Sequence, residues 1–91
     1  MIGVIHLECS LPDSHSLKEK RSVLQSILTR ARKRNLSVSE MDKQDAWQRT
    51  VLSAACVSND KTVIEKELRL LENMIEMHED IECISISFEW L

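Results

Sequence analysis

Apolar and polar residues follow regular patterns that divide the chain into six segments. Residues 1–11 alternate, and one face carries Gly3, Ile5, Leu7, Cys9 and Leu11, which is typical of a strand with one buried side. A shorter alternation at 36–42 and an apolar run at 49–57 predict two further strands, joined by a loop at 43–48. Residues 81–90 predict a fourth strand, with Ile84, Ile86, Phe88 and Trp90 on one face.

Helical periodicity occupies the remaining two segments. Ser16 and Glu19 have the S-x-x-E spacing of a capping box, which predicts that a helix begins there and extends to Asn35. Its apolar stripe comprises Leu17, Leu24, Ile27, Leu28 and Ala31. Ser58, Asn59 and Asp60 supply cap chemistry for a second helix that ends near His78.

The predicted order of elements is β-α-β-β-α-β within 91 residues. Right-handed crossovers in this order place both helices on one face of a four-stranded antiparallel sheet. We therefore predict a single α+β domain over residues 1–91, with a ferredoxin-like fold and one sheet face left open.

Two basic residues sit where the first helix should be apolar. On a helical wheel Lys20 falls inside the apolar stripe and Arg21 falls at its margin, turned toward the core. A buried ammonium needs a route to solvent or a carboxylate partner. Glu67 lies in the stripe of the second helix in the same way, so a Lys20–Glu67 pair is one predicted solution.

Charge is distributed unevenly along the chain. Residues 16–35 carry seven basic residues and one acidic residue, a net +6, whereas the rest carries five basic and fourteen acidic residues, a net −9. This segregation predicts a surface for an anionic partner, because binding depends on where the charges sit. The competing interpretation is a solvated helix end, where cations are stabilised by the helix dipole. The candidate nucleic-acid-binding residues are Lys18, Arg21, Arg30, Arg32, Lys33 and Arg34.

The composition argues against several other functional classes. A single glycine, Gly3, and a single proline, Pro12, exclude a P-loop, a dinucleotide fingerprint and a nucleophile elbow. Three widely spaced cysteines without metal-ligand spacing predict small core residues, so we expect neither a metal nor another cofactor. Without an apolar run of about 20 residues or a signal peptide, the predicted location is cytoplasmic, with no membrane contact.

Two polar groups remain as alternatives. His6, Glu8 and Asp42 could form an acid/base set, although a polar sheet face is the expected interpretation and no catalytic residue is predicted. The loop with Trp47 and Arg49 is either a partner-binding edge or a loop closed by a packed indole. The first and third strands lack aromatic residues, which argues against base stacking on the sheet.

Two segments and the closing strand resemble those of a known family. The segments are SHSLKEKRSVLQSIL and VSEMDKQDAWQRTVLSAACVSND, and the family is the bacterial YlxP-like family, domain of unknown function family 503. The resemblance implies a small ferredoxin-like cytoplasmic protein, with a dimer as one expected form. It also hints at ribosomes, because genes of this family often neighbour those for ribosome-binding factor A and a translation initiation factor. Positions matching its motif, with no assigned role, are Ser16, Leu17, Lys18, Lys20, Arg21, Trp47, Gln48 and Arg49.

Two functional hypotheses follow. The first is a non-enzymatic module that binds RNA or the ribosome through the basic helix, without a small-molecule substrate. The second is a homodimeric interaction module that uses the sheet edge or the open face, driven by residues such as Ile2 and Val4.

Overall fold

The six predicted elements are all present in a computed structural model that describes residues 1–91. In chain order they are β1 (Ile2–Ser10), α1 (Leu17–Ala31), β2 (Ser37–Asp42), β3 (Arg49–Val57), α2 (Lys61–Glu76) and β4 (Glu82–Trp90). The strands form one antiparallel sheet in the spatial order β2-β3-β1-β4. This arrangement confirms the predicted α+β, ferredoxin-like fold.

Both helices begin at the predicted caps. The Ser16 side chain accepts a hydrogen bond from the backbone N–H of Glu19, and Asp60 accepts one from that of Thr62. The Glu19 carboxylate accepts a hydrogen bond of 2.6 Å from the backbone N–H of His15. A capping box predicts the N–H of Ser16 as this partner, which is one residue later. The capping box therefore also holds the segment that leads into α1.

The prediction that α1 extends to Asn35 is wrong, because the helix ends at Ala31. The backbone N–H of the C-cap residue Arg32 bonds Leu28 O, and the chain then turns into β2. The Asn35 side chain donates to Val57 O at 3.0 Å, which holds the turn against the end of β3. Arg32, Lys33 and Arg34 consequently lie in a connection rather than on a helix.

The core between the sheet and the helices is aliphatic. The inward face of β1 belongs to one buried cluster with residues of both helices, including Leu24, Ile27, Ile64 and Leu71. The three aromatic residues are outside it: Trp47, Phe88 and Trp90 are 53%, 42% and 41% exposed. Neither helix is long and apolar enough to span a bilayer.

Candidate functional site

The exposed cations of α1 and the turn after it are the largest concentration of positive charge on the molecule. Lys18, Arg21, Arg30, Arg32 and Lys33 are all exposed, and none of them forms an ion pair. We call these five residues the basic surface. Arg21 is solvent-exposed, so the prediction that it turns toward the core is wrong.

Three residues of the basic surface share one flank of α1 and its C-cap. The C-cap residue Arg32 keeps right-handed helical φ and ψ, so at 100° per residue Lys18, Arg21 and Arg32 fall within about 60° of one another, along a flank about 21 Å long. Ser26, on the other flank, contacts His78 at 3.2 Å just beyond α2, so the basic flank points away from α2. Arg30 lies on the Ser26 side, and its Nε donates to Ser26 O at 3.3 Å.

Arg34 differs from its neighbours because it has a partner. Its guanidinium makes a two-point contact with Glu67 on α2, with donor–acceptor distances of 2.9 and 3.3 Å. These hydrogen bonds, with the attraction of the carboxylate, raise the pKa of Arg34. Of the six predicted nucleic-acid-binding residues, Arg34 alone is engaged by a carboxylate, and its ion pair joins the turn after α1 to α2.

Lys20 lies at the centre of a buried polar cluster. Its side chain is 1% exposed, as the apolar register predicted. The ammonium donates to Lys43 O at 2.5 Å and Ala46 O at 2.8 Å, and it lies 2.8 Å from Glu40 Oε2. The predicted Lys20–Glu67 pair is wrong: Glu40 on β2 is the carboxylate partner of Lys20, and Glu67 is taken by Arg34.

The cluster satisfies every donor of the ammonium. Glu40 Oε2 also accepts a hydrogen bond from Thr50 Oγ1 at 2.6 Å, and this ties the carboxylate to β3. An ammonium has three donors, and Lys20 meets three oxygens. The buried charge is thus compensated, and α1, β2, β3 and the loop are joined at one point.

The loop at 43–48 is held from two sides by this cluster and by Gln48. The Gln48 side chain donates to Pro12 O and Ser14 O, each at 3.2 Å, and Gln48 O accepts from the backbone N–H of Leu11. Lys43 adopts a left-handed conformation with φ of 64°, and its N–H bonds the Asp42 carboxylate. Motif residues from both matching segments therefore meet at this loop.

Trp47 is displayed on the outside of that fixed loop. Its indole is more than half exposed, beside a shallow depression lined by His15, Asp45 and Arg49. The indole is thus about half buried, so the predicted alternatives of a partner-binding edge and of a loop closed by a packed indole both stay open. Arg49 points toward Glu8 with a 3.7 Å separation. An exposed indole on a constrained loop is a suitable contact for a partner.

The open sheet face carries a chain of polar contacts around His6. One ring nitrogen lies 2.7 Å from Ser53 Oγ and the other lies 2.5 Å from Glu89 Oε1. A Ser–His–acid sequence of this kind occurs in hydrolases, but they also need a substrate cavity and oxyanion donors. No cavity is lined by His6 or Glu89. The predicted grouping of His6, Glu8 and Asp42 does not form, since Glu8 faces Arg49 and Asp42 caps the loop.

Two of the three thiols lie opposite each other on β1 and β4. Burial, with the neighbouring Cys83, raises the pKa of the Cys9 thiol to about 12. Burial is also the main reason that the pKa values of Cys56 and Cys83 are raised. Raised pKa values disfavour the reactive thiolate, so these side chains behave as packing groups.

Sequence reasoning missed Glu40, Thr50 and the contacts of Gln48. The signal for Glu40 is the alternation of Leu36, Val38 and Glu40, which places a carboxylate in the inward register of β2. An inward carboxylate and an inward ammonium are natural partners once the topology brings them together. The Gln48 contacts have no comparable signal, because they depend on the path of the loop.

Comparison with known proteins gives matches to a family model, to a curated relative and to solved structures. The family model described as protein of unknown function, DUF503, matches residues 2–88. The "Uncharacterized protein YlxP" of Bacillus subtilis (strain 168) is 44% identical over 91 residues, covering 99% of both chains. Among solved structures, the de novo designed protein Foldit4 superposes with a TM-score of 0.64 at 13% identity, over 100% of this chain and 99% of its own. This last likeness concerns the fold alone.

Proposed function

Since the chain belongs to the DUF503 family of proteins of unknown function, we propose that it is a non-enzymatic RNA-binding module that docks on ribosomal RNA through the basic surface. The observation that carries the proposal is the set of five exposed cations without ion pairs in a chain of net charge −3. Phosphate groups provide the electrostatic energy of most RNA binding.

The arrangement of charge favours a phosphate backbone over a small anion. A flank about 21 Å long faces several consecutive phosphates, whereas a small anion would need converging donors. The acidic residues of α2, such as Glu65, Glu72 and Glu76, lie on the neighbouring helix and orient the RNA toward α1.

The mode of contact is recognition of the RNA backbone. The open sheet face presents serines, His6 and Glu89 but no aromatic residue, so it lacks the stacking platform of sheet-based RNA readers. Phe88 and Trp90 pair with Ile5 and Gly3, whose side of the sheet is the helix side. The proposal therefore predicts affinity with little sequence preference.

Fluorescence anisotropy with labelled ribosomal RNA fragments tests the proposal, and Arg32→Gln and Arg34→Gln form a matched pair. Both change one arginine in the same turn, but Arg34 is held by Glu67 and Arg32 is free. We expect Arg32→Gln to weaken binding severalfold and Arg34→Gln to leave it nearly unchanged. Equal effects of the two changes would contradict the assigned surface.

Salt dependence gives a second readout. Phosphate contacts by Lys18, Arg21 and Arg32 on the shared flank predict a slope of roughly −2 to −3 for the logarithm of the association constant against the logarithm of salt concentration. Removing Lys18 and Arg32 together should reduce the slope by about 1.5 to 2. Absence of binding to RNA and to bacterial ribosomal subunits at low salt would refute the proposed function.

A further inference from the structure

The backbone on both sides of Trp47 is held in position within the chain itself. Ala46 O accepts a hydrogen bond of 2.8 Å from the buried ammonium of Lys20. The Gln48 side chain donates to two carbonyl groups of the segment before α1, each at 3.2 Å. The indole between these anchors is nevertheless about half exposed. Because its backbone is already ordered, a planar group can stack on the indole at little cost in conformational entropy.

The depression beside the indole has a mostly polar lining. Its volume is about 480 Å³, and besides Trp47 it is lined by His15, Asp45, Ala46, Gln48 and Arg49. The Asp45 carboxylate has no ion-pair partner, and the half-exposed guanidinium of Arg49 lies 3.7 Å from Glu8. An apolar side chain would cover these groups without bonding them, which is unfavourable. A nucleobase offers a flat face to the indole and a polar edge to the groups around it.

Positive charge lies on the same side of α1 as this loop. At 100° per residue, Ser26, which marks the side of α2, falls about 120° from Lys20 around the helix. Arg21 falls about 100° from Lys20 in the opposite sense, on the side of β2 and the loop, and Lys18 borders it. A strand whose phosphates meet these two cations therefore passes the depression at the start of α1.

We propose that the depression at Trp47 is the site of a single unpaired nucleotide, with its base stacked on the indole and its phosphate at Arg49. This inference rests on the proposed function, because the basic surface supplies the phosphate contacts that bring the strand to the loop. Every base has a π face for the indole and an N–H group that can donate to Asp45. The site therefore selects unpaired over paired nucleotides and accepts any sequence.

Three labelled RNA hairpins test the site by fluorescence anisotropy: one fully paired, one with a single bulged adenosine, and one with an abasic nucleotide at the bulge. We expect the unmodified chain to bind the bulged hairpin about tenfold more tightly than the paired one, because the base stacks on the indole. The abasic hairpin should lose this preference. The comparison changes only the RNA, so it does not depend on the folding of a variant. Equal affinity for all three hairpins would overturn the inference and leave the proposed function intact.

Tryptophan variants locate the stacking on the protein. Trp47→Leu should lower the affinity for the bulged hairpin about tenfold and leave that for the paired hairpin unchanged. Trp90→Leu, the matched control with a similarly exposed indole on the opposite edge of the sheet, should bind both hairpins normally. If Trp47→Leu kept the full preference, the base would stack elsewhere and the loop would be left to a protein partner, which overturns the inference. Failure of every hairpin to bind at low salt would refute this site and the proposed function together.

Discussion

Lys20 shows how one buried charge can organise a local structure. Its ammonium is almost fully removed from water, and three oxygens from β2 and the 43–48 loop replace the lost hydration. Such an arrangement adds little net stability compared with an apolar residue of the same shape, but breaking it is costly. Lys20 therefore determines the position of the loop that carries Trp47.

We expect Lys20→Met to reduce the free energy of unfolding by about 2 to 4 kcal/mol, because Glu40 and two carbonyls lose their donor. Urea denaturation followed by circular dichroism measures this loss. Lys18→Met, on the exposed flank of the same helix, should change stability by less than about 0.5 kcal/mol. The double variant Lys20→Met/Glu40→Gln should cost less than the two single changes added together. A Lys20→Met protein as stable as the unmodified chain would contradict the structural role.

The buried thiols predict a loss of stability at alkaline pH. The pKa of Cys9 is about 12 in the folded chain and 9.0 for an ordinary thiol. Below pH 9 both states keep the proton, but above pH 9 the unfolded chain loses it first, so stability falls as pH rises toward 12. The slope from one such thiol is about 1.4 kcal/mol per pH unit.

Urea titrations from pH 7 to pH 11 should therefore show a shallower decline for Cys9→Ala than for the unmodified chain. The chain contains no tyrosine, so no phenol contributes to the difference. Identical slopes in the two proteins would show that Cys9 ionises normally in the folded state.

Among the elements, α1 shows what the sequence could and could not predict. Ser16 and Glu19 are local signals, and the helix begins where they place it. The end of α1 depends on Asn35 reaching Val57 and on Leu36 entering the core, which are contacts with a distant strand. Lys20 was recognised as buried from its register, but the predicted partner, Glu67, was wrong, because finding Glu40 requires the packing of α1 against β2.

The approach of α2 to β1 depends on the absence of a side chain at Gly3. A Cβ placed there would overlap Cγ2 of Ile64 and come within 3.1 Å of Trp90 and 3.3 Å of Leu68. The backbone of Gly3 does not have a positive φ, so its requirement is one of space. The only glycine of the chain thus sets the distance between α2 and the sheet at this end.

We expect Gly3→Ala to lower the free energy of unfolding by about 1 to 3 kcal/mol through overpacking. Ser37→Ala, at an exposed strand position, is the control and should have an effect below about 0.5 kcal/mol. Measured in an Ile64→Ala background, Gly3→Ala should cost less, because the overlapping methyl group is gone. An equal cost in both backgrounds would show that Ile64 is not the obstacle.

At the scale of the whole molecule, the basic surface and the exposed apolar side chains of β4 lie on opposite sides. α1 packs beside β2, which is one edge of the sheet, and β4 is the other edge. Charge asymmetry was visible in the sequence, whereas the exposure of Ile84, Ile86, Phe88 and Trp90 on β4 was not, because their register predicts burial and only the position of α2 leaves them exposed.

The placement of the aromatic residues has a spectroscopic consequence. The chain has two tryptophans and no tyrosine, and both indoles lie at the surface, Trp47 on the loop and Trp90 on the β4 edge. Intrinsic fluorescence therefore reports on these two places and only weakly on the aliphatic core. A shift in Trp90 emission would follow contacts at the β4 edge, and Trp47 emission would follow contacts at the loop. Replacing each tryptophan in turn by phenylalanine leaves a single indole, and the emission of that indole then reports contacts at one of the two places without an added label.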